Sequence, residues 1–146
     1  MSKIIRSNSP CIIQKLRPEQ TWEIRHKVLW PDQPFDYVKI PNDDEGLHFG
    51  CFVDGKLVSI ISGFLNDETK DAQFRKFATL QVYQSKGFGS QLLSYLMDEF
   101  ISCGATRIWC NARVNATALY ERFGMHKTQN TYTKLGFDYV VMEKLI

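Results

Sequence analysis

From Gln84 to Gly89 the chain reads Gln-Ser-Lys-Gly-Phe-Gly, a glycine-bearing loop between an apolar run and a strongly amphipathic segment. A strand that ends in such a loop and opens a helix turns several backbone N–H groups, and the positive end of the helix dipole, toward one point. That point suits a phosphate. Taken alone the motif is weak. A dinucleotide fingerprint requires a third glycine where Leu92 stands, and a P-loop requires Gly-Lys-Ser/Thr after four spacer residues; neither is present. The competing reading is that Gly87 and Gly89 do no more than permit a tight strand-to-helix turn and close packing.

Other reactive groups are scattered. Cys11, Cys51, Cys103 and Cys110 show no Cys-x-x-Cys spacing and mostly sit in apolar runs. They read as buried free thiols, which argues against a zinc site or a disulfide framework. The 146 residues suit a single domain with a real core, and 18 basic against 16 acidic residues give a net charge of +2. No dense Lys/Arg stripe exists, so no nucleic-acid partner is expected. The chain has no apolar run long enough to span a bilayer, and Met1 to Pro10 is polar, so no membrane partner and a cytoplasmic location are expected.

The elements that must position these groups follow from periodicity. A short tail leads into a strand around Cys11 to Leu16, and Pro18 opens a helix over about Glu19 to Leu29. Trp30 to Gly46, with Pro31, Pro34, Pro41 and the acidic group Asp43-Asp44-Glu45, holds no period and reads as a long loop of the functional kind. Leu47 to Phe64 is strand, turn, strand, hinged on Asp54-Gly55, a type I′ hairpin signal. A further strand covers Ala72 to Leu80. Phe88, Leu92, Leu96 and Phe100, widened by Leu93 and Met97, give a helix over roughly Gly87 to Cys103, stopped by Gly104. A short strand at Arg107 to Cys110, a helix at Asn115 to Phe123 and two strands, Met125 to Thr133 and Phe137 to Leu145, complete the chain. The order describes an α+β fold: a mixed, mostly antiparallel central sheet flanked by helices, with a parallel step where the strand at Ala72 to Leu80 crosses through the long helix to the strand at Arg107 to Cys110.

Three segments in register make a more specific signal than the loop alone. Phe77 to Leu93, then Asn111-Ala112-Arg113, then Ala118 to Met125 resemble the pyrophosphate-binding and Asn-Ala-Arg motifs of the GCN5-related N-acetyltransferase (GNAT) family, and the ending Gly136-Phe137 through Met142-Glu143-Lys144 is similar to its terminal strand. The similarity spans about half the chain in the right order. It departs at Ser85 and Gln81, where many members carry Gly and Pro, and at Leu119, where Phe is common.

The resemblance implies a single N-acetyltransferase domain over residues 1–146, of acyl-CoA N-acyltransferase type, with acetyl-CoA as co-substrate and an amine, on a small molecule or a protein, as acceptor. Backbone groups of Phe77 and Thr79 would pair with the pantetheine arm. Amides from Gln84, Ser85, Lys86, Gly87, Phe88, Gly89 and Ser90 would cradle the pyrophosphate, with Lys86 adding charge. Tyr120 would protonate the departing thiolate, and Asn115 would reach cofactor or backbone near the thioester. Both have plain alternatives: Tyr120 shares a helical face with Ala116 and Phe123 and fits a core, and Asn115 fits an N-cap. The base for the amine is less defined. His48 ranks first, with His26, the Asn42 to Glu45 loop or an ordered water as alternatives. A catalytically idle acyl-CoA sensor of the same fold is the alternative function, and nothing in the sequence sets the oligomeric state.

Overall fold

The structure, a computed structural model, describes residues 10–146; the polar tail expected before them lies outside the described residues. Its strands are β1 (Ile12–Leu16), β2 (Leu47–Val53), β3 (Lys56–Leu65), β4 (Asp71–Thr79), β5 (Arg107–Arg113), β6 (His126–Lys134) and β7 (Phe137–Leu145). They form one seven-stranded sheet in the order β1-β2-β3-β4-β5-β7-β6. Pairing is antiparallel at β1·β2, β5·β7 and β6·β7 and parallel at β4·β5, so the mixed sheet and its parallel step are present as expected. The helices are α1 (Trp22–Ile24), α2 (Phe88–Ser102) and α3 (Thr117–Arg122), with short 3₁₀ turns between elements.

Turn chemistry accounts for the hairpins. Asp54 and Gly55 both take positive φ, 51° and 79°, which is the two-residue geometry whose twist matches the flanking strands β2 and β3. Leu135 and Gly136 repeat it, with φ 52° and 82°, between β6 and β7.

Two compact units are built on this sheet. The first comprises the described residues up to Ser62 together with Lys76–Leu96; the second comprises Gly63–Arg75 and Met97–Ile146. In the first, Leu16, Ile24, Ile60 and Ala78 form one buried cluster, and Cys51, Val53, Val58 and Phe88 form another. Leu92, Leu93 and Leu96 of α2 are fully buried, as their four-residue spacing requires of an inward face. In the second, Phe100, Ile108, Cys110, Met125 and Met142 are buried. Among the described residues no helix is long and apolar enough to cross a membrane, and no group of His, Cys, Asp and Glu is placed to hold a metal ion.

Several expectations need correction. The first helix is not one regular α-helix: Pro18–Thr21 is 3₁₀, Trp22–Ile24 is α and Arg25–Leu29 is π. Propensity and periodicity do not distinguish these windings, and the wider π turn is a local insertion of the kind found near functional sites. β5 runs on to Arg113, three residues past the expected end, because Asn111 to Arg113 pair with Val141, Val140 and Tyr139 of β7. The cysteines differ most. Cys11 and Cys51 are joined as a disulfide, their Cα atoms 5.8 Å apart, and Cys103 is exposed; only Cys110 is the buried free thiol expected. The pairing arises from the β1·β2 register, which sets Ile13 opposite Cys51, and a separation of 40 residues conceals it in the sequence.

Candidate functional site

The glycine loop lies in the first unit. After β4 the chain makes a 3₁₀ turn at Gln81–Tyr83, then passes Ser85 and Gly87, with φ of 63° and 88°, into α2. Alternation of ordinary and left-handed residues turns successive N–H groups to one side, the geometry of an anion-binding nest. The first α2 bond runs from the Gln91 amide to the Gly87 carbonyl, so the amides of Phe88, Gly89 and Ser90 fall in the turn that has no intrahelical acceptor. Gln84 to Gly87 are exposed, while Phe88 is buried and anchors the helix start.

Gly89 has a distinct reason to be glycine. A Cβ there would stand 3.2 Å from both the Phe77 ring and Thr79 Oγ1, so helix and strand approach closely at this point. Thr79 is fixed in turn: its hydroxyl lies 2.8 Å from Ser59 Oγ, and its carbonyl accepts a 2.9 Å bond from the Gln84 side chain. Phe77 and Thr79 thus sit together with the Gln84 to Ser90 loop. The backbone here suits a phosphate-bearing group: the nest is exposed, and open space surrounds the site of a Cβ on Gly87.

His48 occupies a different environment in the same unit. Its ring is 1% exposed, with Nδ1 2.7 Å from Ser62 Oγ and Nε2 2.7 Å from the Asp43 carbonyl. Both nitrogens are therefore engaged by protein partners, Ser62 and the Asp43 carbonyl. His26 is likewise held, Nε2 lying 2.7 Å from the Gln33 carbonyl. The acidic triplet divides. Asp43 is buried and receives a bidentate Arg25 guanidinium, both bonds 2.9 Å, while Asp44 and Glu45 stay exposed. Burial works to raise the Asp43 carboxyl, but the Arg25 hydrogen bond, the Ile40 amide, the Arg25 charge and the Trp22 indole outweigh it, and its pKa ends below the usual carboxylate value. Sequence reasoning missed Arg25, although a charged residue on the apolar side of a helical stretch was its signal.

Tyr120 lies in the second unit, on α3, with its ring 5.5 Å from Phe74. Burial pushes its hydroxyl well above the ordinary phenol range, and neighbouring Cys110, itself pushed up to about 12 by burial, acts in the same direction. A phenol so placed keeps its proton at neutral pH. Asn115 is exposed within a 3₁₀ turn, Val114–Ala116, and it is Ala116 that precedes α3, so Asn115 is not that helix's N-cap. The β4·β5 ladder comprises Asp71↔Arg107, Ala72↔Ile108 and Gln73↔Trp109 and stops there, although both strands continue.

Comparison with known proteins agrees on one group. The profile of the acetyltransferase (GNAT) family matches residues 13–125. The chain is 30% identical over 142 residues to the uncharacterized N-acetyltransferase YitI of Bacillus subtilis (strain 168), covering 92% of this chain and 95% of that protein. Its fold is similar to that of a candidate N-acetyltransferase from Lactobacillus plantarum, with a TM-score of 0.82 at 18% identity over 92% of this chain and 97% of the other. It is also similar to a Bacillus subtilis acetyltransferase solved in complex with CoA, with a TM-score of 0.71 at 13% identity over 94% and 99% of the two chains.

Proposed function

Because the chain belongs to the acetyltransferase (GNAT) family, we propose that it moves the acetyl group of acetyl-CoA to a primary amine by direct attack of the amine on the thioester. Residues 1–146 then act as one N-acetyltransferase domain. The observation that carries the reading is the nest from Gln84 to Ser90, exposed over Gln84 to Gly87 and seated on Phe77 and Thr79 at the start of α2. Its amides would hold the pyrophosphate, with Lys86 adding charge. The backbone of Phe77 and Thr79 would accept the pantetheine arm, where the short β4·β5 ladder has already ended. The CoA complex of a protein of the same fold supports the choice of cofactor.

In the reaction the amine nitrogen forms a bond to the acetyl carbon, the carbon–sulfur bond breaks, and the electron pair leaves on sulfur. Tyr120 gives its hydroxyl proton to that sulfur, and solvent takes the proton released by the amine. Its raised pKa keeps the hydroxyl protonated until the sulfur departs. Asn115, exposed beside α3, would contact the cofactor. With His48 and His26 held by protein partners, an amine whose pKa falls on desolvation needs no side-chain base.

Thermal unfolding with acetyl-CoA, CoA, ATP and NAD titrated separately tests the cofactor. Ligand at 100 times its dissociation constant adds about 2.7 kcal/mol of stability. A shift with acetyl-CoA and CoA alone is expected; a shift only with ATP or NAD would overturn the reading. A shift with acetyl-CoA but no turnover of any amine would favour an idle acyl-CoA sensor.

A further inference from the structure

Arg25, Asp43, His48 and Ser62 come from four segments distant in sequence: the π turn, the 30–46 loop, β2 and β3. All four are buried. Arg25 reaches the loop at two places, donating to the Val38 carbonyl at 2.9 Å as well as to both Asp43 carboxylate oxygens. It also donates to Ser62 Oγ at 2.9 Å. Asp43 in turn accepts from the Ile40 amide at 3.0 Å and from the Trp22 indole at 3.1 Å. The loop is therefore held from inside by these side chains as well as by the backbone bonds of its own short turns at Phe35–Val38 and Asp43–Glu45.

For a neutral imidazole, donor and acceptor counting fixes the proton positions. A carbonyl only accepts, so His48 Nε2 carries the hydrogen that points at Asp43, and Nδ1 is left as an acceptor. Ser62 Oγ already accepts from Arg25, so its own hydrogen is free to go to Nδ1. Each member has one consistent role: Arg25 donates to Ser62, Ser62 to His48, and His48 to the loop.

We infer that this chain of hydrogen bonds is a positioning device for the acceptor amine, in which His48 and Ser62 hold the 30–46 loop and thereby set how the amine is received. The inference rests on the acetyl-transfer reading above. Two observations connect the network to the reaction. Ile24, adjacent to Arg25, packs in one cluster with Ala78 and Leu80, so the helical segment that carries Arg25 also bears on β4 between Phe77 and Thr79. The groups that the anchored loop leaves exposed include Asp32, Phe35, Asp44 and Glu45, an aromatic and acidic set that suits a cation with an apolar stem, while Asp36 is paired at 2.8 Å with the loop's own Lys39, which lies 5.7 Å over the Phe35 ring. Trp30, by contrast, is buried against Tyr37 and belongs to the support.

The test compares His48→Ala, His48→Gln and Ser62→Ala with the wild-type protein. The readouts are amide hydrogen exchange across residues 36–46, acetyl-CoA affinity by calorimetry, and KM and kcat for the best-used member of a panel of aliphatic primary amines and short peptides with free N-termini. His48→Ala is expected to speed exchange at Ile40 and Gly46 at least tenfold and to raise acceptor KM about tenfold, with acetyl-CoA affinity within twofold of wild type. His48→Gln, whose amide can still donate to the Asp43 carbonyl, should recover most of both losses. Ser62→Ala, the mildest change, should give an intermediate KM. Loosened exchange with unchanged acceptor KM would overturn the inference, as would a fall in acetyl-CoA affinity in step with the KM change, which a merely structural role produces. If the wild type binds acetyl-CoA but acetylates no amine in the panel, the transfer reading fails and the inference falls with it.

Discussion

Asp43, buried in one unit, and Tyr120, half-buried in the other, are both acids, and their environments drive them in opposite directions. Burial acts to raise both. At Asp43 a bidentate guanidinium, a backbone amide and an indole reverse that effect, and the carboxyl is held ionised. At Tyr120 the neighbouring Cys110 adds to burial, and the phenol is held neutral. What surrounds a buried acid, more than its burial, determines whether it serves as a fixed charge or as a proton donor. The first arrangement suits architecture; the second suits chemistry.

The largest expected effect comes from removing the Tyr120 hydroxyl. Tyr120→Phe keeps the ring against Phe74 and should lower kcat by about 10²- to 10⁴-fold, the usual contribution of a positioned acid, while acetyl-CoA affinity stays unchanged. Steady-state kinetics and calorimetry on the same preparation check both halves. Undiminished turnover would return Tyr120 to the core and end the comparison. Next in size is Asp43→Ala, which leaves the buried Arg25 guanidinium without its carboxylate. Breaking such a pair costs about 3–5 kcal/mol, read as a lower denaturation midpoint with an unchanged slope.

A pH series sharpens the contrast further. Because the folded-state pKa of Asp43 is depressed, its contribution to stability is fully present above the unfolded carboxylate value and is lost as pH falls through the folded value. Stability of the wild type should therefore decline below about pH 4, and Asp43→Asn should show a shallower decline over the same range. Tyr120, with its pKa raised, should impose no alkaline loss of kcat below about pH 10. A limb in kcat near neutrality that Tyr120→Phe removes would contradict that assignment.

The two regions also differ in how much of them the sequence conveys. The glycine loop, the Asp54-Gly55 hairpin and the α2 stripe are local: each depends on residues within a turn or two of one another, so composition and period reveal them. Tyr120 stands out in the sequence because its motif is contiguous. The Arg25, Asp43, His48 and Ser62 network does not, since its members are 14 to 37 residues apart along the chain where they bond to Arg25 or through Ser62. Asp43 and His48 were read as solvent-facing candidates for proton transfer because single-sequence reasoning has no way to see Arg25 or Ser62 beside them. Cys11 and Cys51 fail for the same reason: they are 40 residues apart and meet only because Cys11 precedes the strand whose Ile13 lies opposite Cys51.

Gly87 offers the smallest effect and a control in which neither burial nor a charged neighbour acts. Its φ of 88° lies where L-residues are strained, yet nothing stands within 4 Å of an added Cβ. The cost of Gly87→Ala is therefore conformational, about 1–2 kcal/mol, with no steric component. Gly89→Ala reverses the balance: its backbone is helical, but the new methyl meets the Phe77 ring and Thr79 Oγ1 at 3.2 Å, so the strand or the helix start has to give. Denaturation curves of both variants, paired with acetyl-CoA titrations, separate the two causes. If the nest binds the pyrophosphate through its backbone, Gly87→Ala should weaken acetyl-CoA by up to about tenfold, no more than its conformational cost converts to, and salt should leave that ratio unchanged because no charge is altered. Unaltered affinity in Gly87→Ala, alongside the expected loss of stability, would mean that the loop is only a turn.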